Sequence, residues 1–178
     1  MILRLFQRSP NRELIDRLSG EIVAAARQPA LFAGYGIEDS VEGRFEALAL
    51  HAFLILSRLK QMPPPAPAIA QDLTDAFFRG FDAAMRENGV GDLSVPKHMK
   101  TLAAAFCGRV AAYERALQNG AASLAAALSR NVYAGRGQPD EAARLARYVV
   151  TARSALAEAT LSSLISGKPP FPDLSSIL

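Results

Sequence analysis

Few residues in this chain are of a type that does chemistry, and their spacing limits what each can do. There are two histidines, His51 and His98, and one cysteine, Cys107. A metal centre needs several converging ligands, and no His-x-x-x-His pair occurs. His98 and Met99 are neighbours, so on a helix they point about 100° apart and cannot serve one haem iron. No Cys-x-x-Cys-His attachment motif and no Gly-x-Ser-x-Gly nucleophile elbow is present. Gly89-Val90-Gly91 is too short to cradle a phosphate, and no P-loop lysine follows it. Cys107 lies beside the apolar positions of its segment and is expected to be an inert, packed thiol. His51 falls within an apolar run and reads as a hydrogen-bonded core residue. The expectation is a protein that is not an enzyme and binds neither cofactor nor metal.

What remains is charge. Arg79, Asp82 and Arg86 are spaced i, i+3, i+7 and form a ladder along one side of a helix. Glu87, Asp92, Lys97, Lys100, Arg109 and Arg115 fall near the same corner or on the helix facing it. Such a ladder is ordinarily a solvated, salt-bridged surface contributing a few tenths of a kcal/mol per pair. Here it surrounds a loop carrying Val90, Leu93 and Val95, which cannot bury all three.

The elements that position this corner are two amphipathic helices. Ile69, Leu73, Phe77, Phe81 and Ala84 share one face, as do Met99, Leu102, Phe106, Val110, Tyr113 and Leu117. Asn88-Gly89 reads as a helix stop, Ser94 as a cap and Pro96 as a first-turn residue, giving an antiparallel hairpin. Upstream, Asn11 caps a first helix limited by Pro29, and Gly34 to Gly36 form a turn. Asp39 or Ser40 caps a second helix, apolar nearly all round from Phe45 to Leu59 and therefore the expected centre of the bundle. The run Met62-Pro63-Pro64-Pro65-Ala66-Pro67 reads as a stiff, extended connector. Downstream, a short helix covers Ala121 to Asn131 and a long one runs from about Asp140 to Ile165. The fold class is all-α: a single-domain helical bundle with a central hairpin and an extended, proline-containing C-terminal tail. Residues 1–10 form an N-terminal arm, 11–166 the helical domain and 167–178 the tail.

The formal net charge of the 178 residues is only +3, but it is unevenly spread. From Lys97 to Arg153 nine Lys and Arg face three Asp and Glu, whereas acids outnumber bases before that stretch. A basic half suits an acidic partner such as RNA or anionic lipid. Basic residues are not interleaved with aromatics, which counts against an RNA-binding module, and no DNA partner is expected. One cysteine excludes an intrachain disulfide. No stretch approaches the roughly 20 apolar residues of a membrane span, and the first residues lack the pattern of a signal peptide or presequence. The expected location is cytoplasmic.

Three stretches carry a family resemblance. They are Gly43-Arg44-Phe45 with Leu50-His51 and Arg58-Leu59; Asp82 followed by Arg86 through Lys97; and Phe106-Cys107-Gly108-Arg109 with Tyr113, then Arg130-Asn131-Val132-Tyr133. In this order they resemble the ubiquinol–cytochrome c chaperone family, assembly factors for ubiquinol–cytochrome c reductase. Asn88, Cys107 and Gly80 depart from its pattern, where a larger apolar, an aromatic and an acidic residue are expected. The lack of a presequence suggests a bacterial member. The resemblance implies a non-catalytic chaperone that holds newly made cytochrome b, works at the inner face of the bacterial inner membrane and acts in some members with a small partner protein. The basic half would then face ribosome or lipid headgroups. The candidate client-binding residues are Arg44, Arg79, Asp82, Arg86, Val90, Asp92, Leu93, Val95, Lys97, Arg109 and Tyr113. The alternative is a helical ligand-binding or regulatory domain that buries a small apolar molecule.

Overall fold

The computed structural model describes residues 10–177, and the expected N-terminal arm lies almost wholly outside them. Among the described residues are eight α-helices, one 3-10 turn and no strand. They are α1 (Pro10–Ala26), α2 (Pro29–Ala33), α3 (Val41–Gln61), α4 (Ala66–Glu87), α5 (Val95–Gln118), α6 (Ala121–Asn131), α7 (Pro139–Glu158) and α8 (Leu161–Ser166), followed by the 3-10 turn Leu174–Ser176.

Helix α3 is the centre, as its all-round apolar pattern requires. It packs against α1, α4, α5 and α7, and every residue from Ala49 to Leu56 is buried. Ser40 starts it: the Ser40 hydroxyl accepts from the Gly43 amide at 3.2 Å, satisfying one orphan donor of the first turn. His51 is fully buried among these residues, as its sequence context suggests. Its Nδ1 lies 2.8 Å from the Ala47 carbonyl and its Nε2 2.8 Å from the Tyr148 hydroxyl. The ring of Phe171, from the C-terminal tail, closes over it at 5.1 Å.

Four local features differ from the sequence reading, each for a physical reason. The proline run is a tight turn, not an extended connector. Chain must reverse between two helices that pack against each other, and Met62 and Ala66 on either side of the turn are buried. Pro29 opens the short helix α2 besides ending α1, because proline fits the first position of a helix. The expected helix from Asp140 to Ile165 breaks at Ala159, which is extended (φ −72°, ψ 134°). Thr160 caps α8 by accepting from the Ser163 amide at 3.2 Å, and Arg58 donates to the freed Ala159 carbonyl at 2.9 Å. Cys107 is exposed rather than packed.

The central hairpin also departs from expectation in how little of it is covered. Helix α4 stops where the sequence indicates: Gly89 (φ +80°) follows Asn88, and the Val90 amide reaches Met85 O while the Gly89 amide reaches Arg86 O. This pair of bonds is the Schellman arrangement. Beyond Phe77, however, α4 and the first half of α5 extend past the bundle. From Phe78 to Ala105 only Val95 is buried. Phe81 and Leu102 are half-buried and Ala84 is exposed, whereas Phe106 and Tyr113 are fully inside.

The tail from Gly167 runs back over the bundle, with Pro169 and Leu174 buried. Tyr35 donates to the Leu174 carbonyl at 2.9 Å, tying the tail to the loop after α2.

Two stability measurements follow. In urea unfolding, Phe106→Ala is expected to cost about 3–5 kcal/mol, and Phe81→Ala about half as much because it gives up less buried area. Equal losses at the two positions would contradict the projecting hairpin. Burial lowers the pKa of His51 from 6.5 to about 4. The unfolded chain therefore binds this proton first, and stability falls as pH drops from about 6.5 towards 4. The wild type should lose up to about 1.4 kcal/mol per pH unit there. His51→Gln should lack that slope.

Candidate functional site

The first and third of the stretches singled out in the sequence come together near the start of α3, through Gly43, Arg109 and Asn131 to Tyr133. Glu46 is buried on α3 (5% exposed) and faces Arg109 on α5. The Arg109 Nε donates to the Glu46 carboxylate at 2.9 and 3.0 Å, Nη2 donates to the same group, and Nη1 reaches the Ala105 carbonyl at 3.2 Å. The fork-to-carboxylate geometry is what a guanidinium does best. Hydrogen bonding to the Glu46 carboxylate holds the Arg109 pKa above its ordinary value. The guanidinium carbon also lies 5.6 Å from the centre of the Phe45 ring.

This pair forms the floor of a cleft of about 710 Å³. The cleft's walls come from the loop before α3, from α3 itself, from Asn131 at the end of α6 and from the turn after it, which carries Tyr133 and Arg136. Gly43 makes the first wall possible. A Cβ there would sit 1.9 Å from the Glu38 carbonyl oxygen, so any other residue would push the loop off the helix. The turn after α6 holds Ala134 at φ +50°, a left-handed conformation that is unfavourable for a residue with a Cβ. Tyr133 fixes that turn by donating to the Tyr35 carbonyl at 2.7 Å.

Arg109 thus belongs to the cleft, not to the exposed corner, and two other candidate residues are also displaced from it. Tyr113, one turn further along α5, is fully buried against Phe53. Burial, with the Glu46 charge behind it, raises its pKa far above 10, and its hydroxyl has no hydrogen-bond partner among the described residues. Val95 is not on the loop but is the first residue of α5, and it is buried. A residue pointing inward at a helix start cannot contact a partner. Ser94 precedes it but makes no side-chain cap bond.

The remaining candidates stay at the surface. Arg86 is the hub of the corner, bonded to Asp82 at 2.7 Å from Nε and to Asp92 from Nη1. The hydrogen bond from Arg86 lowers the Asp82 pKa. Asp92 sits on the loop, so this triad pins the loop to α4. Arg79 and Lys97 are exposed, Val90 is half-buried and Leu93 is 98% exposed. Arg44 lies away from the corner, near the start of α3, where it donates to Asp39 at 2.7 Å.

A row of aromatic rings connects cleft and corner, which the sequence reading did not foresee. Phe45 of α3 lies 5.9 Å from Phe81 of α4, Phe81 lies 6.3 Å from Phe78, and Phe78 lies 5.8 Å from Phe106. The first three of these rings are only half-buried. The signal for the cleft was present in the sequence as Glu46, the lone acid in the apolar run from Phe45 to Leu59, which must find a cation.

A family model described as ubiquinol–cytochrome C chaperone matches residues 33–171. The chain belongs to this family. The match covers α3 to α8, including the cleft, the corner and most of the tail. A solved structure, the crystal structure of the Cbp3 homolog from Brucella abortus, is 42% identical. It aligns over 98% of each chain with a TM-score of 0.84. No curated protein matches the chain. All three departures from the family pattern, Gly80, Asn88 and Cys107, are exposed, so none of them alters the core of this chaperone-family fold.

The Glu46–Arg109 pair should behave as a structural lock. Glu46→Gln or Arg109→Met alone leaves a partner buried and unpaired and is expected to cost about 3 kcal/mol. The double variant Glu46→Leu/Arg109→Met should recover more than half of the loss in the same urea titration. Additive losses would show that the two groups do not depend on each other.

Proposed function

We propose that the chain is a non-catalytic assembly chaperone whose client is newly synthesised cytochrome b. The client is held against the projecting half of the α4–α5 hairpin until ubiquinol–cytochrome c reductase is assembled. Membership of the ubiquinol–cytochrome c chaperone family supports the class of function. The observation that carries the site is the uncovered hairpin itself. A chaperone for a membrane protein needs apolar surface that is accessible yet does not drive self-association. Phe78, Phe81, Met85, Met99 and Leu102 are half-buried there, and Leu93 stands free at the tip. Flexible methionines adapt to varied apolar partners. Arg79, Asp82, Arg86, Asp92 and Lys97 ring this surface with charges of both signs, as at the rim of a transient interface.

Arg44, Val90 and the cleft below Phe45 extend the same side of the molecule, whereas Val95, Arg109 and Tyr113 support it from within. Among the described residues no helix is long and apolar enough to cross a membrane. The chaperone would meet its client from the inner face of the bacterial inner membrane, with the basic half turned towards ribosome or anionic headgroups.

Photo-reactive residues at Leu93 and Met85, in cells making cytochrome b, are expected to capture it, and probes at exposed Thr151 on α7 are not. Arg86→Glu should reduce capture by more than it lowers the thermal midpoint, because its ion pairs with Asp82 and Asp92 are exposed and contribute little. Capture at Thr151 alone would move the client to the other side of the bundle.

A further inference from the structure

Towards the C-terminal end of α3, away from the Glu46–Arg109 cleft at its start, α3, the α5–α6 junction and α7 enclose a second cavity of about 490 Å³. Its walls are mainly apolar, from Phe53, Leu54, Leu117, Leu124 and Leu156. Two arginines, Arg58 and Arg153, also line it, and no Asp or Glu does. Neither guanidinium has a salt-bridge partner among the described residues. Arg58 spends one amino group on the Ala159 carbonyl, but its Nε is buried without any acceptor.

We propose that this cavity binds a long-chain fatty carboxylate, with the chain in the apolar space and the carboxylate on Arg58 and Arg153. Each half of that ligand answers a feature of the cavity. A buried donor on a guanidinium with no acceptor is costly, and an anion entering beside it supplies a charge-assisted bond. The volume falls within the range of small-molecule sites, which are mostly apolar with a few convergent polar groups. An elongated ligand fits because the cavity does not end at α7. Ala121 and Val150 belong both to it and to an adjoining depression of about 430 Å³ between α6 and α7. That depression is floored by alanines, whose small side chains leave a furrow, with Arg147 at its edge. Val150 is among the few large apolar residues left exposed, and it sits where the two spaces join. The site is separate from the proposed client surface and does not rest on it.

The test uses the full chain and cis-parinaric acid, a fluorescent fatty carboxylate, below its critical micelle concentration. Saturable binding of about one probe per chain is expected, displaced by palmitate and much less by hexadecanol, which lacks the charge. Arg153→Gln should weaken binding about tenfold, the loss of one hydrogen bond to a charged group. Arg153→Lys should restore part of it. Ala121→Phe, an exposed position at the start of α6, should block the furrow and abolish binding. Circular dichroism checks that these surface variants fold. Arg58 is left unmutated because it also secures the break after α7. The proposal is overturned by uptake that does not saturate, by equal displacement with palmitate and hexadecanol, or by variants that bind like the parent. Binding to vesicles containing anionic phospholipid, with no uptake of the monomeric probe, would also overturn it and assign this face to a membrane surface.

Discussion

Glu46 and His51 lie five residues apart on a helix that the rest of the bundle surrounds, and both are buried. A buried carboxylate and a buried imidazole each need partners, because an unsatisfied polar group in such a place costs more than a formed hydrogen bond returns. Their needs are met by different parts of the chain. Glu46 takes Arg109 from α5, which fixes how the hairpin leans on α3. His51 takes Tyr148 from α7, and the ring of Phe171 from the tail covers it. Two polar residues thus specify the placement of three elements that apolar packing alone would hold less uniquely.

The consequence for function is a molecule with one firmly anchored end and one free end. Below Phe106 the hairpin is locked by the Glu46 pair and by Tyr113 against Phe53. Above it, α4 touches α3 through Phe81 against Phe45, the helices are otherwise little covered, and their tip is tied by the Arg86 triad. A surface that must accept and release a client benefits from this division. The anchored part sets the position, while the free part keeps apolar side chains available without unfolding the bundle.

The two hollows, one towards each end of α3, differ in chemistry. On the Glu46 side, loops and glycine bring backbone and acidic groups close together, so the cleft is polar. At the other end the alanines of α6 and α7 leave space between helices, and the charged lining residues are arginines. Alanine-rich packing brings helices near each other but leaves furrows wherever a larger residue is missing.

The all-α class, the central place of α3, its Ser40 cap, the stop at Gly89 and the bounds of α6 were legible in the sequence. Each is decided by residues within a turn or two of one another, through period, capping and the left-handed preference of glycine. The family was legible as well, through three short stretches whose order does not depend on knowing the fold. The tertiary structure alone decided which side of each helix is covered. Arg86 and Arg109 look alike in sequence, yet one lies in solvent and the other in a buried fork, because only Arg109 stands opposite Glu46, 63 residues away. Val95 seemed part of the exposed loop and Cys107 part of the core. Their places are exchanged by how far the hairpin projects beyond α3, a length set by packing and not by local pattern. The break at Ala159 likewise depends on Arg58, 101 residues earlier, being present to take its carbonyl.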